Sequence, residues 1–160
     1  MIKKIRNSIK ALIIKENALL FGKMNEADTG ETYYSLPGGG QQGGEIFTEA
    51  LRRECREELG AEVEVGDLAL VREYIGKNHN LAYKHSHLHH VEYMFKCRLI
   101  SGPCPAKATQ MDDNQDKNTP YVWLTLKEMQ ALNIYPKILR ACFDDEMNLI
   151  APKMYLGDVN

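Results

Sequence analysis

The sequence predicts an α/β or α+β layered sandwich built on a mixed β-sheet, and three observations carry that expectation. Apolar and polar residues alternate in well-separated segments, one strong amphipathic helix stands between two such segments, and further helix signals gather toward the end of the chain.

Ile5 to Phe21 reads as two extended segments. Ile9, Ala11 and Ile13 alternate with Lys10, Leu12 and Ile14, and Asn17 marks a turn, so the chain enters as a hairpin. Tyr33 to Leu36 is a short β-prone piece that runs into Pro37-Gly38-Gly39-Gly40, where a helix cannot start and left-handed backbone costs little. The strongest helix covers Glu45 to Leu59, closed by Gly60 as a C-terminal cap. Ala61 to Ile75 and His87 to Leu99 read as longer strands, the second with Val91, Tyr93, Phe95, Cys97 and Leu99 in alternation. Tyr121 to Leu124 is a short strand, and Thr125 with Glu128 fits a capping box that opens a short helix. Asn133 and Pro136 interrupt that helix, and Ile138, Leu139, Ala141, Cys142 and Phe143 suggest a last amphipathic one.

Composition narrows the class. In 160 residues, 44% of them apolar, there is enough material for a core, which excludes a chain disordered throughout. Twenty Lys and Arg against 22 Asp and Glu leave a formal charge of −2, so no extended nucleic-acid surface is expected. Cys55, Cys97, Cys104 and Cys142 form no CxxC pair, which argues against a zinc ribbon or thioredoxin-like motif and for reduced thiols in the cytosol. The apolar run Ala11 to Ile14 is cut off by Lys15-Glu16, too short for a signal peptide or a membrane span. No repeat or low-complexity tract divides the chain, so a soluble, cytoplasmic protein with one domain over residues 1–160 is expected.

The strong helix carries acids on its inner side. With Leu51 as origin and steps of about 100° per residue, Phe47, Ala50, Leu51, Cys55 and Leu59 form an apolar stripe. Glu54 and Glu58 fall inside that stripe and Glu57 at its edge, while Glu49, Arg52 and Arg56 point to water. A carboxylate removed from water is costly unless it is paired or protonated, so three acids at i, i+3 and i+4 call for a cation beside them. Their oxygens suit a hard divalent ion, Mg²⁺ or Mn²⁺, rather than zinc. Arg53, four residues before Glu57, can pair with it and hold its orientation. The plainer reading, a solvated helix laced with Arg–Glu pairs, is weakened by the phase of Glu54 and Glu58.

Gly39, Glu45, Arg53, Glu54, Glu57, Glu58 and Gly60 stand at the spacing of the Nudix box, G-x5-E-x7-R-E-U-x-E-E-x-G-U, where U is a bulky aliphatic residue. The chain closely resembles the Nudix (MutT-like) hydrolase family over Gly39 to Ala61. It departs only at the U positions, where Cys55 and Ala61 are smaller. The preceding Leu36-Pro37-Gly38-Gly39-Gly40 and the order of strands from Ile5 to Leu124 also look like the family.

The resemblance implies an α/β/α sandwich with the box as a loop–helix–loop, and hydrolysis of a phosphoanhydride in a nucleoside diphosphate linked to another group. By position, Glu54, Glu57 and Glu58 would bind Mg²⁺ or Mn²⁺, helped by a backbone carbonyl at Gly38 or Gly39. Arg53 would orient the acids, and Glu45 would support Arg53 or a further metal. Gly38, Gly39 and Gly40 would let backbone approach metal and substrate phosphate. Metal ions neutralise a diphosphate, lower the pKa of a bound water and stabilise charge gathering on phosphorus, with water as the nucleophile. Glu57 or Glu58 could act as general base, or a later-loop acid among Asp112, Asp113 and Asp116. Homodimers are frequent among the proteins it resembles, although no interface is legible in the sequence.

Other features have two readings each. His85, His87, His89 and His90 could form a transition-metal site or a phosphate-contacting wall with the first three on one side of a strand, against a polar loop running into a strand. Tyr121 and Trp123 could stack on a base or belong to the core. Arg6, Lys10, Arg72 and Lys96 could meet phosphates or only water. Gly76 and Asn78 stand where ADP-ribose and dinucleoside-polyphosphate enzymes carry a proline and a tyrosine. That leaves nucleoside triphosphates, oxidised ones included, and nucleotide sugars as open substrate classes. The rivals from other classes are a non-hydrolytic nucleotide-sensing or RNA-binding module on the same fold, and a scaffold whose helix mediates dimerisation.

Overall fold

The computed structural model describes residues 4–102 and 120–160. The candidate base acids Asp112, Asp113 and Asp116, and Cys104, lie outside them. The entry hairpin forms as the alternation predicts, from β1 (Ile5–Lys15) and β2 (Ala18–Asn25). Glu16 and Asn17 turn it with φ of 49° and 58°, the left-handed pair that suits a two-residue connection between twisted strands.

The remaining elements are β3 (Thr32–Ser35), β4 (Gly38–Gly40), α1 (Phe47–Leu59), β5 (Glu62–Ile75), α2 (Ala82–His85), β6 (His89–Ser101), β7 (Tyr121–Thr125), α3 (Leu126–Ala131), β8 (Ile134–Tyr135) and β9 (Tyr155–Asp158). Among the described residues the strands run β8-β3-β2-β1-β6-β5-β9, with β4 added to β1 and β7 to β2. The sheet is mixed: β1 pairs antiparallel with β2 and β4 and parallel with β6. With helices packed on this curled sheet, the architecture is that of an α/β/α sandwich.

Two apolar clusters fill the layers. Ala50, Leu51, Cys55 and Leu59 of α1 bury against Ile9, Ala11 and Ile13 of β1 and Phe95 of β6. Each fully buried leucine there contributes about 1.5–3 kcal/mol, so α1 is fixed in rotation by its stripe. On the other side Leu12, Phe21, Leu70, Met94, Met129 and Leu139 form the second cluster.

Local differences from expectation have physical causes. The helix starts at Phe47, because Ile46 is still extended (ψ 162°) and its N–H is taken by the Glu49 carboxylate at 3.0 Å, leaving Glu45 outside the helix. Gly60 caps it in the left-handed region as predicted, its N–H donating to Arg56 O. The glycine stretch is a strand, held flat against β1. The expected last amphipathic helix is a single 3₁₀ turn, Lys137–Ala141, with Pro136 before it and a bridge from Phe143 to Leu149 after it. The histidines do not share a strand face: His85 ends α2, His87 precedes the strand, and only His89 and His90 begin β6. No described helix is long and apolar enough to cross a membrane.

Candidate active site

The register of β1 assembles the site. Its residues Ser8, Ile9 and Lys10 pair with Gly40, Gly39 and Gly38, which lays the glycine strand beside the helix that carries the acids. A side chain at Gly38 would run into the Ile9 carbonyl, and its φ of 124° is open to glycine alone. A Cβ on Gly39 would stand 2.5 Å from the Glu54 carboxylate. Gly38 is thus required by backbone geometry and Gly39 by contact with the acid.

Arg53 organises the acids. Its Nε and Nη2 donate to the two oxygens of Glu45 at 2.6 and 3.1 Å, a forked ion pair that planar guanidinium makes and lysine cannot. Nη1 donates to Glu54 at 2.8 Å and reaches Glu57 at 3.4 Å, and Nη2 also donates to Gly40 O at 3.0 Å. Glu45 takes a further N–H from Gln42. The Arg53 hydrogen bonds hold the Glu45 carboxyl below the usual range, and the acids in turn push Arg53 up.

The three helix acids differ in setting. Glu58 is half-buried and accepts the Gly38 N–H at 2.8 Å and a hydrogen bond from Tyr121. Burial pushes its carboxyl above the ordinary value, against the Gly38 N–H and the nearby Lys10 ammonium, which pull it down. Glu54 is 15% exposed and Glu57 59%. The structure thus brings Gly38, Gly39, Gly40, Glu45, Arg53, Glu54, Glu57 and Glu58 into one neighbourhood.

Whether this set suits a divalent ion turns on its donors. They are hard carboxylate oxygens beside a glycine strand that leaves room at Glu54, the chemistry that Mg²⁺ or Mn²⁺ selects. Among the described residues no three His, Cys, Asp or Glu side chains close into a finished cage. Arg53 Nη1 instead bridges Glu54 and Glu57, neutralising part of the charge the ion would neutralise.

Two contributors were read differently in the sequence. Lys10 donates to Gly38 O at 3.1 Å, so this cation belongs to the glycine strand; its place in a strand beside buried Ile9 and Ala11 was the only available signal. Tyr121 is buried against Glu58, not offered for stacking, and burial pushes its hydroxyl upward. Trp123 lies half-buried at the α1 cluster. Of the other cations considered, Arg6 faces Gly40, Lys96 is exposed, and Arg72 is buried and bonded to Glu92 at 2.6 Å and Val159 O at 2.6 Å. The histidines disperse: His85 meets the Tyr74 hydroxyl, and His89 pairs with Glu73.

The Nudix domain family model matches residues 4–142. The chain belongs to the Nudix family and is a hydrolase of that class. Solved structures share the fold. A MutT protein from Methanosarcina mazei Go1 is 19% identical, with 88% of this chain and 91% of that one covered and a TM-score of 0.62. A NUDIX hydrolase from Nitrosomonas europaea is 17% identical, with 86% and 85% covered and a TM-score of 0.62. An ADP-ribose pyrophosphatase from Streptococcus suis 89-1591 is 19% identical, with 81% and 79% covered and a TM-score of 0.54. No curated protein matches the chain. The family acts on small nucleotide substrates and generally uses divalent metal ions.

Proposed function

We propose that the protein is a Mg²⁺-dependent hydrolase that cleaves a phosphoanhydride in a nucleoside diphosphate linked to another group, of the nucleoside triphosphate or nucleotide-sugar type. The observation that carries this is the Arg53 hub, which ties Glu45, Glu54, Glu57 and Gly40 together beside a carboxylate that burial leaves unfavourably charged. Mn²⁺ would serve as an alternative ion.

Glu54, Glu57 and Glu58 would hold the ion, with Gly38 or Gly39 backbone and Glu45 at its margin. When bound, such an ion neutralises the diphosphate and stabilises charge on the phosphorus under attack. Arg53 orients Glu54 and Glu57 through its rigid fork on Glu45. Gly38, Gly39 and Gly40 let the substrate phosphates approach the backbone, flanked by Lys10 and Arg6. Glu57 is the candidate general base through whichever carboxylate oxygen the ion leaves free, since it is exposed and its described contact with Arg53, at 3.4 Å, is long. Glu58 is already engaged by Gly38 and Tyr121. Cys55, Cys97 and Cys142 are free thiols, which suits the cytoplasm, and the 160 residues are read as one domain.

The test is a panel of nucleoside triphosphates and nucleotide sugars assayed for phosphate-containing products with and without Mg²⁺. Hydrolysis of at least one class that requires Mg²⁺ supports the reading. Ligand-dependent stabilisation without product would favour the non-hydrolytic nucleotide-sensing or RNA-binding module instead.

A further inference from the structure

Glu45 reaches Arg53 from outside the helix. It lies ahead of Ile46 and of α1, where no helical pairing fixes the chain, and the loop before it carries the glycine pair Gly43-Gly44. Gln42, Gly43 and Gly44 are exposed, a side chain at either glycine would meet nothing within 4 Å, and Gly44 has a φ of 88°. Such a loop has many conformations open to it, and the forked pair with Arg53 needs Glu45 held in place. Glu45 N–H donates to Gln42 O at 3.2 Å and Gln42 N–H to the Glu45 carboxylate at 2.9 Å, but both of these ties are internal to the loop.

Gln41 links the loop to the sheet. Its N–H donates to Asn7 O at 3.2 Å, next to the register pair of Gly40 with Ser8. Both ends of its side-chain amide are used as well. Oε1 accepts from Asn7 Nδ2 at 2.9 Å, and Nε2 donates to the Glu45 carbonyl at 2.7 Å. Asn7 shares a face of β1 with Ile9 and Ala11, the residues that pack on α1, so strand alternation puts its amide on the side where the loop enters the helix. Asn7 and Gln41 are half-buried, and a carboxamide bonded at both ends in that setting is fixed in rotamer as well as in place. The contacts thus run from β1 through Gln41 to Glu45, and from Glu45 through Arg53 to Glu54 and Glu57.

We infer that Gln41, locked by Asn7, is a positioning residue for the ion seat. It holds the Glu45 backbone so that the Arg53 fork closes, and the closed fork orients Glu54 and Glu57. The inference rests on the divalent-ion hydrolase reading above and adds two residues that the box leaves unfixed: Gln41 falls between Gly39 and Glu45, and Asn7 stands on β1. Both act through Glu45. A tie that served the sheet alone would end at the Gln41 backbone, whereas this one continues to the residue whose carboxylate grips Arg53.

Three readouts taken well below Tm test this: hydrogen exchange of the Arg53 Nε–H by nitrogen-15 NMR, Mn²⁺ affinity by electron paramagnetic resonance, and kcat with KM at saturating Mg²⁺. Gln41→Met removes both side-chain hydrogen bonds at nearly constant length. It should weaken Mn²⁺ binding and lower kcat about three- to tenfold each, the range of one hydrogen bond, with KM kept and the Arg53 Nε–H exchanging faster. Asn7→Ala should have a smaller effect of the same kind, and none in the Gln41→Met background, because it acts only through Gln41. A lowered Tm with exchange, Mn²⁺ affinity and kcat all unchanged would make the clamp a plain loop support and overturn the inference. Additive effects of the two substitutions, or a raised KM at constant kcat, would overturn it too. A wild type that hydrolyses nothing in the Mg²⁺ panel sinks the proposed function and leaves the clamp to be decided by Arg53 exchange and Mn²⁺ affinity. Mg²⁺-dependent hydrolysis with both variants unchanged in every readout sinks the clamp alone.

Discussion

Arg53 holds Glu45 with both arms of its guanidinium, Nε to Oε1 at 2.6 Å and Nη2 to Oε2 at 3.1 Å, across the loop that leads into the helix. The remaining donors of Arg53 face Glu54, Glu57 and Gly40. Replacing it by lysine keeps one charge and loses the fork. Arg53→Lys is therefore expected to lower kcat about 10- to 100-fold, as loss of a group orienting metal ligands does. Steady-state kinetics beside a far-UV circular dichroism spectrum would check this, with the spectrum unchanged. A variant with wild-type kcat would remove Arg53 from the orienting role.

Gly39 faces the Glu54 carboxylate so closely that a methyl group there would stand 2.5 Å from it. Gly39→Ala is expected to push Glu54 aside at about 1–3 kcal/mol of strain. Turnover should fall far more than Tm, which thermal denaturation and kinetics on one preparation would separate.

Glu58 carries the pH prediction. Burial raises its carboxyl above the ordinary 4.5, so the folded protein binds that proton more tightly than the unfolded chain. The stabilising contribution is present below pH 4.5 and is lost as pH rises through the raised value. Metal-free Glu58→Gln should therefore be more stable than wild type at neutral pH, by about 2–4 °C in Tm for each ~1 kcal/mol relieved. The advantage should vanish as pH falls toward 4.5. An unchanged difference across that range in thermal scans would refute the burial argument.

Arg6 stands over Gly40 from the first strand, exposed and with no described carboxylate partner. Arg6→Ala is expected to raise KM with kcat largely kept, the signature of lost uniform binding to phosphate. A fall in kcat at constant KM would assign it to the reacting centre instead.

Much of this was legible in the sequence where a local period or cap encodes it. Leu51, Cys55 and Leu59 at helical spacing, with Gly60 after them, located α1, and the same phase put Glu54 and Glu58 on the buried side. The family spacing left Glu45 to support Arg53 or a further metal, and in the structure its carboxylate is ion-paired with Arg53. Contacts between distant segments left no such signal. Lys10 on Gly38 and Tyr121 on Glu58 depend on which strands lie side by side. Strand β9 was missed because Gly157 and Asp158 are poor strand formers; it is held by partners on β5 and by the Asp158 anchor. The glycine strand was missed for the same reason, since β1 supplies its pairing.

The central claim is that Glu54, Glu57 and Glu58 form the seat of a divalent ion, and Mn²⁺ binding followed by electron paramagnetic resonance tests it most directly. Wild-type protein without nucleotide should bind Mn²⁺ and release it to excess Mg²⁺, while Glu57→Gln and Glu58→Gln should bind at least about tenfold more weakly. Equal Mn²⁺ affinity in wild type and in the protein with all three acids changed to glutamine would contradict it.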